Sequence, residues 1–177
     1  GGAINNNGEL TITESTLTEN TAQKHGGAIN NNGELTITES TLTGNTATWD
    51  GGAIYNKGGE LTITESTLNN NTAQKGDGGA INWEGELTIT ESTLQQNTAQ
   101  EGSGGAIYNS SGGELTITES TLNNNTAQEG SGGAINNKEG ELTITESTLQ
   151  ENTAKWSGGA IHHKLGNFKI FNCEFLN

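Results

Sequence analysis

Carboxylates are the only reactive side chains that this 177-residue sequence holds in quantity: 21 Asp and Glu stand against 7 Lys, 3 His and no Arg, for a formal net charge of −14. Hydrolysis of a glycosidic bond needs two carboxyl groups in different environments, one to give a proton and one to attack or to activate water. Only two of the acids are Asp, Asp50 and Asp77, both in loops. The Glu residues recur instead in two regular series, Glu9, Glu34, Glu60, Glu86, Glu114, Glu141 and Glu14, Glu39, Glu65, Glu91, Glu119, Glu146. No place breaks the pattern to set an acid against a base, so the expectation is a chain that is not an enzyme and uses no cofactor. Charges stacked at strand spacing repel by about 1 kcal/mol per adjacent pair in water. That reads as a solvated, solubilising face, with weak divalent cation binding to the Glu columns as the sharper alternative. The calcium loop G-G-x-G-x-D is absent despite the GG pairs, so no metal site is expected.

The remaining chemistry-bearing residues are sparse. His162 and His163 are neighbours on an extended segment and point opposite ways, which separates them as ligands. Cys173, the single Cys, excludes an internal disulfide and aligns with the Ser of a repeated E-S-T, where it fills a small corner slot. Trp49, Trp83 and Trp156 are read as loop residues that form no column. Glycosylation sequons at Asn70, Asn109 and Asn124 matter only in a eukaryotic secretory pathway. Without Arg or a basic patch the chain has no grip on a phosphate backbone, so no nucleic-acid partner is expected. No apolar run reaches the 18 or so residues of a membrane span, so no membrane insertion is expected. The opening GGAINNNGEL lacks the layout of a signal peptide and reads as a processed or excised segment.

These residues are positioned by a repeat. GGAI begins at Gly1, Gly26, Gly51, Gly78, Gly104, Gly132 and Gly158, at spacings of 25 to 28 residues, and E-L-T-I-T-E-S-T-L-x-x-N-T-A follows unbroken in six of the seven units. Leu, Ile and Phe number 14, 14 and 3 of 177 residues, about 18%. Joined to the high net charge, that composition alone would mark disorder. Order overturns it, because the apolar residues recur at fixed spacing. Alternation in L-T-I-T gives strand, and each unit offers three extended pieces, Ala3 to Asn5, Leu10 to Thr13 and Thr16 to Thr18. One unit has about five apolar side chains and cannot close a core alone, so the units must stack. The predicted fold is all-β, a right-handed parallel β-helix of about seven coils. It forms one domain, with near-identical repeats over 1–157 and a divergent capping coil over 158–177. The expected core columns begin with Ile4, Leu10, Ile12 and Leu17 and continue with Ile29, Leu35, Ile37 and Leu42. Asn20, Asn45, Asn71, Asn97, Asn125 and Asn152 are expected to form an Asn ladder that satisfies a corner. The paired Gly of GGAI serve either a positive φ or a close backbone approach.

The pattern of GGAI, L-T-I-T and S-T-L-x-x-N-T-A resembles the GGAI and FxxN repeats of the polymorphic outer-membrane proteins, over nearly the whole chain. That resemblance implies an extracellular β-helix with an adhesion or passenger role at the cell surface. Two departures stand against a natural member: no β-barrel translocator follows, and the cores carry Glu. Near-identical repeats with a divergent last coil look like a consensus-designed solenoid, or a recently amplified array. Thr11/Thr13, Thr36/Thr38, Thr62/Thr64, Thr88/Thr90, Thr116/Thr118 and Thr143/Thr145 form an outward two-column array. It looks like the T-x-T face of ice-binding solenoids, although β propensity alone also explains Thr there. Pectin-degrading β-helices resemble the fold as well, yet they rely on Asp clusters, or on calcium with a basic residue, and the two Asp of this chain, Asp50 and Asp77, both lie in loops. Phe168, Phe171, Phe175 and Leu176 make the last coil the greasiest and leave two options, closing the end or seating against the first coil of another copy. The reading is therefore a non-catalytic scaffold, with a head-to-tail fibre subunit and a ligand- or ice-binding Thr face as alternatives.

Overall fold

The computed structural model describes all 177 residues, and every strand pairing in it is parallel and keeps the register of the repeat. Ile4, Asn5 and Asn6 pair with Ile29, Asn30 and Asn31, and Glu9 through Thr13 pair residue for residue with Glu34 through Thr38. The same register carries through to the final coil, where Leu142, Ile144 and Leu149 meet Phe168, Ile170 and Phe175. Seven coils result, over 1–25, 26–50, 51–77, 78–103, 104–131, 132–157 and 158–177.

Each coil turns through three faces. The first carries both the Ile4–Asn6 and Glu9–Thr13 segments, which join into one strand in the third and fourth coils as Ile54–Thr64 and Ile81–Thr90. The second face is the Thr16–Thr18 series and the third is the Thr21–Ala22 series, giving sheets of twelve, seven and six strands. Three faces per coil agree with the sequence, but their division differs. The first two expected pieces share a sheet, and the third face is a Thr-Ala pair that two residues of sequence do not signal.

Inward Leu and Ile columns close the interior. Leu35, Leu61, Leu87, Leu115 and Leu142 stack on one line and Ile37, Ile63, Ile89, Ile117 and Ile144 on another, all fully or almost fully buried, with Ile29 and Leu42 among the same cluster. Ile12 is buried too. Ile4, Leu10 and Leu17 are only partly buried, because the first coil has a neighbour on one side alone. Burial of each such side chain contributes about 1.5 to 3 kcal/mol, and the column supplies it without a globular core.

Corners are held by side-chain ladders. Each buried Asn of the N-T-A series accepts from the coil before it: Asn97 Oδ1 takes both the backbone N–H and the side-chain Nδ2 of Asn71 at 3.0 Å. Asn97 in turn donates through Nδ2 to Leu68 O and Asn125 Oδ1, each at 3.0 Å. Identical bonds link Asn20, Asn45 and Asn71 above and Asn125 and Asn152 below. The Ser of E-S-T forms a second ladder, in which Ser66 Oγ donates to Thr64 O at 2.7 Å and accepts the Ser40 N–H at 3.0 Å. Cys173 occupies the last rung, its Sγ 3.2 Å from Phe171 O.

The two Gly of GGAI meet both needs, and the first meets both at once, since a Cβ at Gly78 would lie 2.2 Å from Ile81 O. The first takes the left-handed region, as at Gly78 with φ 69°. The second permits close approach, since a Cβ at Gly79 would lie 2.0 Å from Gly105 O.

Asn97 satisfies four polar groups in the dry interior, and leaving one buried group unpaired costs about 1 to 3 kcal/mol. Asn97→Ala should therefore lower stability by about 3 kcal/mol, and Asn152→Ala, near the open end, by clearly less. Chemical denaturation of both variants beside the parent checks the difference.

Candidate functional site

Candidate surfaces arise where outward residues are unlike the repeat or form unbroken columns. The Thr array is of the second kind. On the first face Thr11, Thr36, Thr62, Thr88, Thr116 and Thr143 pair in sequence, as do Thr13, Thr38, Thr64, Thr90, Thr118 and Thr145, until Lys169 and Phe171 replace them in coil seven. Strand spacing puts successive rungs about 4.8 Å apart. The hydroxyls are exposed or half-exposed, and the Glu9 and Glu14 columns border them on either side.

Those columns are distinguishable by backbone. The Glu9 series lies in strand, and three of its members, Glu86, Glu114 and Glu141, line a shallow groove of about 340 Å³ floored by Gly85, Gly112, Gly113 and Gly140. The Glu14 series sits at the turn between the first and second faces, with φ between 46° and 50° at all six positions. A left-handed backbone is costly for any residue with a Cβ. Coil seven puts Asn172 there, at φ 50°, a residue that tolerates the conformation. A second left-handed corner follows two residues before the Thr-Ala strand, held by Glu19, Gly44, Asn70, Gln96, Asn124 and Glu151. No three His, Cys, Asp or Glu side chains come together as a group able to hold a metal ion.

A third column departs from the repeat in residue type and was not legible as a column. At the end of coils two, three and four the residue before GG offers an acceptor atom to the next coil: Asp50 Oδ1 takes the Asp77 N–H at 2.9 Å, Asp77 Oδ1 the Ser103 N–H at 2.7 Å, and Ser103 Oγ the Ser131 N–H at 3.2 Å. His25 heads it, Nδ1 3.0 Å from Asp50 Oδ2 and its ring stacked on Tyr55 at 4.6 Å. Burial, opposed by the Ser103 hydrogen bond and reinforced by the Asp50 charge, raises the Asp77 carboxyl above its ordinary value. Burial and then the charges of Asp77 and Asp50 push the Tyr108 phenol up to about 12. Both acids remain in loops; each accepts a backbone N–H from the next coil, and Asp50 also pairs with the His25 ring. The arrangement secures the corners that precede the GG pairs.

Trp83 corrects the loop assignment made for it. It lies in strand at the position of Asn56 and Asn109, fully buried, with its indole N–H unpartnered. Its neighbours reveal an inner Asn ladder that sequence reading missed: Asn6 Nδ2 donates to Asn31 Oδ1 at 2.6 Å, Asn31 to Asn56 at 2.5 Å, and Asn109 to Asn137 at 2.6 Å. The signal was present, since each of these residues stands two after the Ile of GGAI. Asn109 is buried in that ladder, so of the three sequons only Asn70 and Asn124 are exposed. Trp49 and Trp156 do lie in loops and are exposed. His162 and His163 each meet the Asn above, Asn136 and Asn137, and share no site.

The end of the stack is apolar. Phe168 and Phe175 occupy inward columns yet are 40% and 48% exposed, with Phe171 and Leu176 beside them also open.

Among known families, the model of a right-handed β-helix region matches residues 3–177. Neither the curated proteins nor the solved structures contain a match to the sequence.

Two consequences are testable by thermal and chemical denaturation. Glu91→Gly should gain about 1 kcal/mol, because it relieves a left-handed Glu and one charge of the column. A raised carboxyl pKa means that the folded chain holds the Asp77 proton more tightly than the unfolded one. Its ionised form therefore costs stability at neutral pH, and the cost disappears as pH falls. Asp77→Asn, which keeps an acceptor for Ser103, should raise the melting temperature at pH 7, and the gain should shrink toward pH 4.

Proposed function

The chain belongs to the right-handed β-helix family, and from that premise we propose that it is a non-catalytic structural scaffold, a rigid acidic rod built on the pattern of extracellular adhesin and passenger repeats. The observation that carries this reading is where the coils differ. Among their departures, the buried Trp83 serves packing and the corner residues His25, Asp50 and Asp77 each accept a backbone N–H of the next coil. A site is a place where the scaffold is broken to do chemistry, and fold alone does not supply one. Near-identity of six coils supports a consensus-built or recently amplified array. For a natural chain, the resemblance to polymorphic outer-membrane protein repeats supports a place outside the cell or at its surface. Divalent cations bind the Glu columns only weakly in this reading, as counter-ions.

A second reading rests on the Thr array, whose two columns run unbroken through six coils. A flat, repeating hydroxyl face suits a flat or periodic ligand, ice included. The bordering Glu columns and the Lys169 and Phe171 rung favour the scaffold instead.

One panel separates the readings: release of reducing or unsaturated ends from polygalacturonate with and without calcium, and ice recrystallisation beside a buffer control. The scaffold reading expects no turnover and no inhibition. Turnover that disappears in Glu114→Gln would overturn it in favour of an enzyme, and inhibition that disappears in Thr88→Lys would overturn it in favour of the Thr face.

A further inference from the structure

We propose that Asn32 is a site of spontaneous covalent modification, at which the side chain closes on the backbone nitrogen of Gly33 and the amide becomes a carboxylate. The inference goes beyond the scaffold reading, which stands whether or not Asn32 reacts.

The step needs only this chain and water. Gly33 N, after losing its proton to solvent base, attacks Asn32 Cγ and forms a new C–N bond. The Cγ–Nδ2 bond breaks, the departing nitrogen takes up a proton from water, and ammonia leaves behind a five-membered succinimide. Water then opens one of the two ring carbonyls. One opening gives an ordinary aspartyl residue, and the other gives isoaspartyl, in which the main chain runs through the side-chain carbon. Ring closure within one residue holds nucleophile and electrophile at high effective concentration, and Gly brings no side chain to block or stiffen the approach.

Hydrogen bonding singles out Asn32. Asn or Asp precedes Gly at four places, Asn7, Asn32, Asp50 and Asp77. At the last two the nucleophile is occupied, since the Gly51 N–H donates to Asp77 O at 3.0 Å and the Gly78 N–H to Ser103 O at 2.9 Å. Their carboxylates are held as well, by the Asp77 and Ser103 N–H groups. The Gly8 N–H donates to Asn6 Oδ1 at 3.2 Å. Gly33 alone of the four has an N–H without a hydrogen bond. Asn32 is exposed, so base and water reach it. Its leaving group makes one bond, from Nδ2 to Asn7 Oδ1 at 2.8 Å, and an exposed bond of that kind costs only about 1 kcal/mol to break.

The stack accommodates the product. Asn32 and Gly33 form the link between the Ile29–Asn31 and Glu34–Thr38 strands. Coil three spends three residues on the same link, Lys57, Gly58 and Gly59. An isoaspartyl residue lengthens the main chain by a single atom, less than the fold already accepts there. Lys57 follows Asn56, the partner of Asn31, so the new carboxylate arises one rung from an ammonium. Loss of ammonia makes the change one-way, and it adds a negative charge to a chain that already carries −14.

Peptide mapping by mass spectrometry, on the full chain aged at mildly alkaline and at mildly acidic pH, tests this. Asn32 should convert from the amide to the acid mass several-fold faster than Asn7, and faster at the higher pH, because the attacking nitrogen must lose its proton. Methyl transfer from an isoaspartyl methyltransferase should label the same peptide, and Asp50 and Asp77 should remain unlabelled. In urea all four places should react, with Asn7 and Asn32 at similar rates. Asn32→Gln, whose closure needs a six-membered ring, should abolish the change at that position, and circular dichroism should match for the variant, the fresh parent and the aged parent. An Asn32 that reacts in urea but stays intact in the folded chain overturns the proposal, since the stack would then hold it out of reach. Equal rates at Asn7 and Asn32 in the folded chain overturn it too, because the free Gly33 N–H would not be what selects the site.

Discussion

In this molecule the neighbour of almost every residue, one strand spacing away, is the same residue. In-register parallel stacking multiplies whatever a position contributes, favourable or not. It makes a sparse apolar composition sufficient: Leu35 and Ile37 gain burial because Leu61 and Ile63 lie on them, and Leu87 and Ile89 on those in turn. The same rule turns one surface Glu into a file of six. Stability resides in the interfaces between coils, and a single coil has almost none of its own.

Corners are where stacking meets its cost. The chain must reverse three times per coil, and it does so through left-handed backbone at Gly78 and its equivalents and, less comfortably, at Glu91 and at Gln96 and their equivalents. Side chains then repair what the turns leave open. Asn97 and Ser92 accept backbone N–H groups from the coil above, and Asp77 and Ser103 do the same for the coil below at a third corner. Polar residues at 0% exposure are tolerated because their partners repeat with them. Trp83 shows the alternative: it breaks the inner Asn ladder, contributes bulk to the core and leaves its own N–H unpaired.

How much of this the sequence discloses follows from what repeats. GGAI, L-T-I-T and N-T-A are invariant in type, so the coil, the inward columns and the Asn97 series are legible. The Thr21–Ala22 strand is not, because two residues carry no alternation. Trp83 was misplaced because it stands where the inserts begin, and register, not composition, puts it in line with Asn56 and Asn109. The His25, Asp50, Asp77, Ser103 series is invisible for the opposite reason. Its members share a function, a nitrogen or oxygen facing the next coil, and not a residue type. The candidate surfaces are the least legible of all. Columns of Thr and Glu can be counted along the sequence, but whether they bind anything depends on spacing and solvation that residue order does not contain.

Removing coil four, residues 78–103, tests most directly whether stability lies in repeated interfaces. The deletion leaves coil three facing coil five with every inward column intact, and it brings Asn56 onto Asn109. The shortened chain should fold with the same circular dichroism per residue as the parent and a lower denaturation midpoint, since one interface is gone. An unfolded product would mean that the chain depends on one indivisible core, and a midpoint equal to the parent's would mean that the interfaces do not add. Either result would contradict the account.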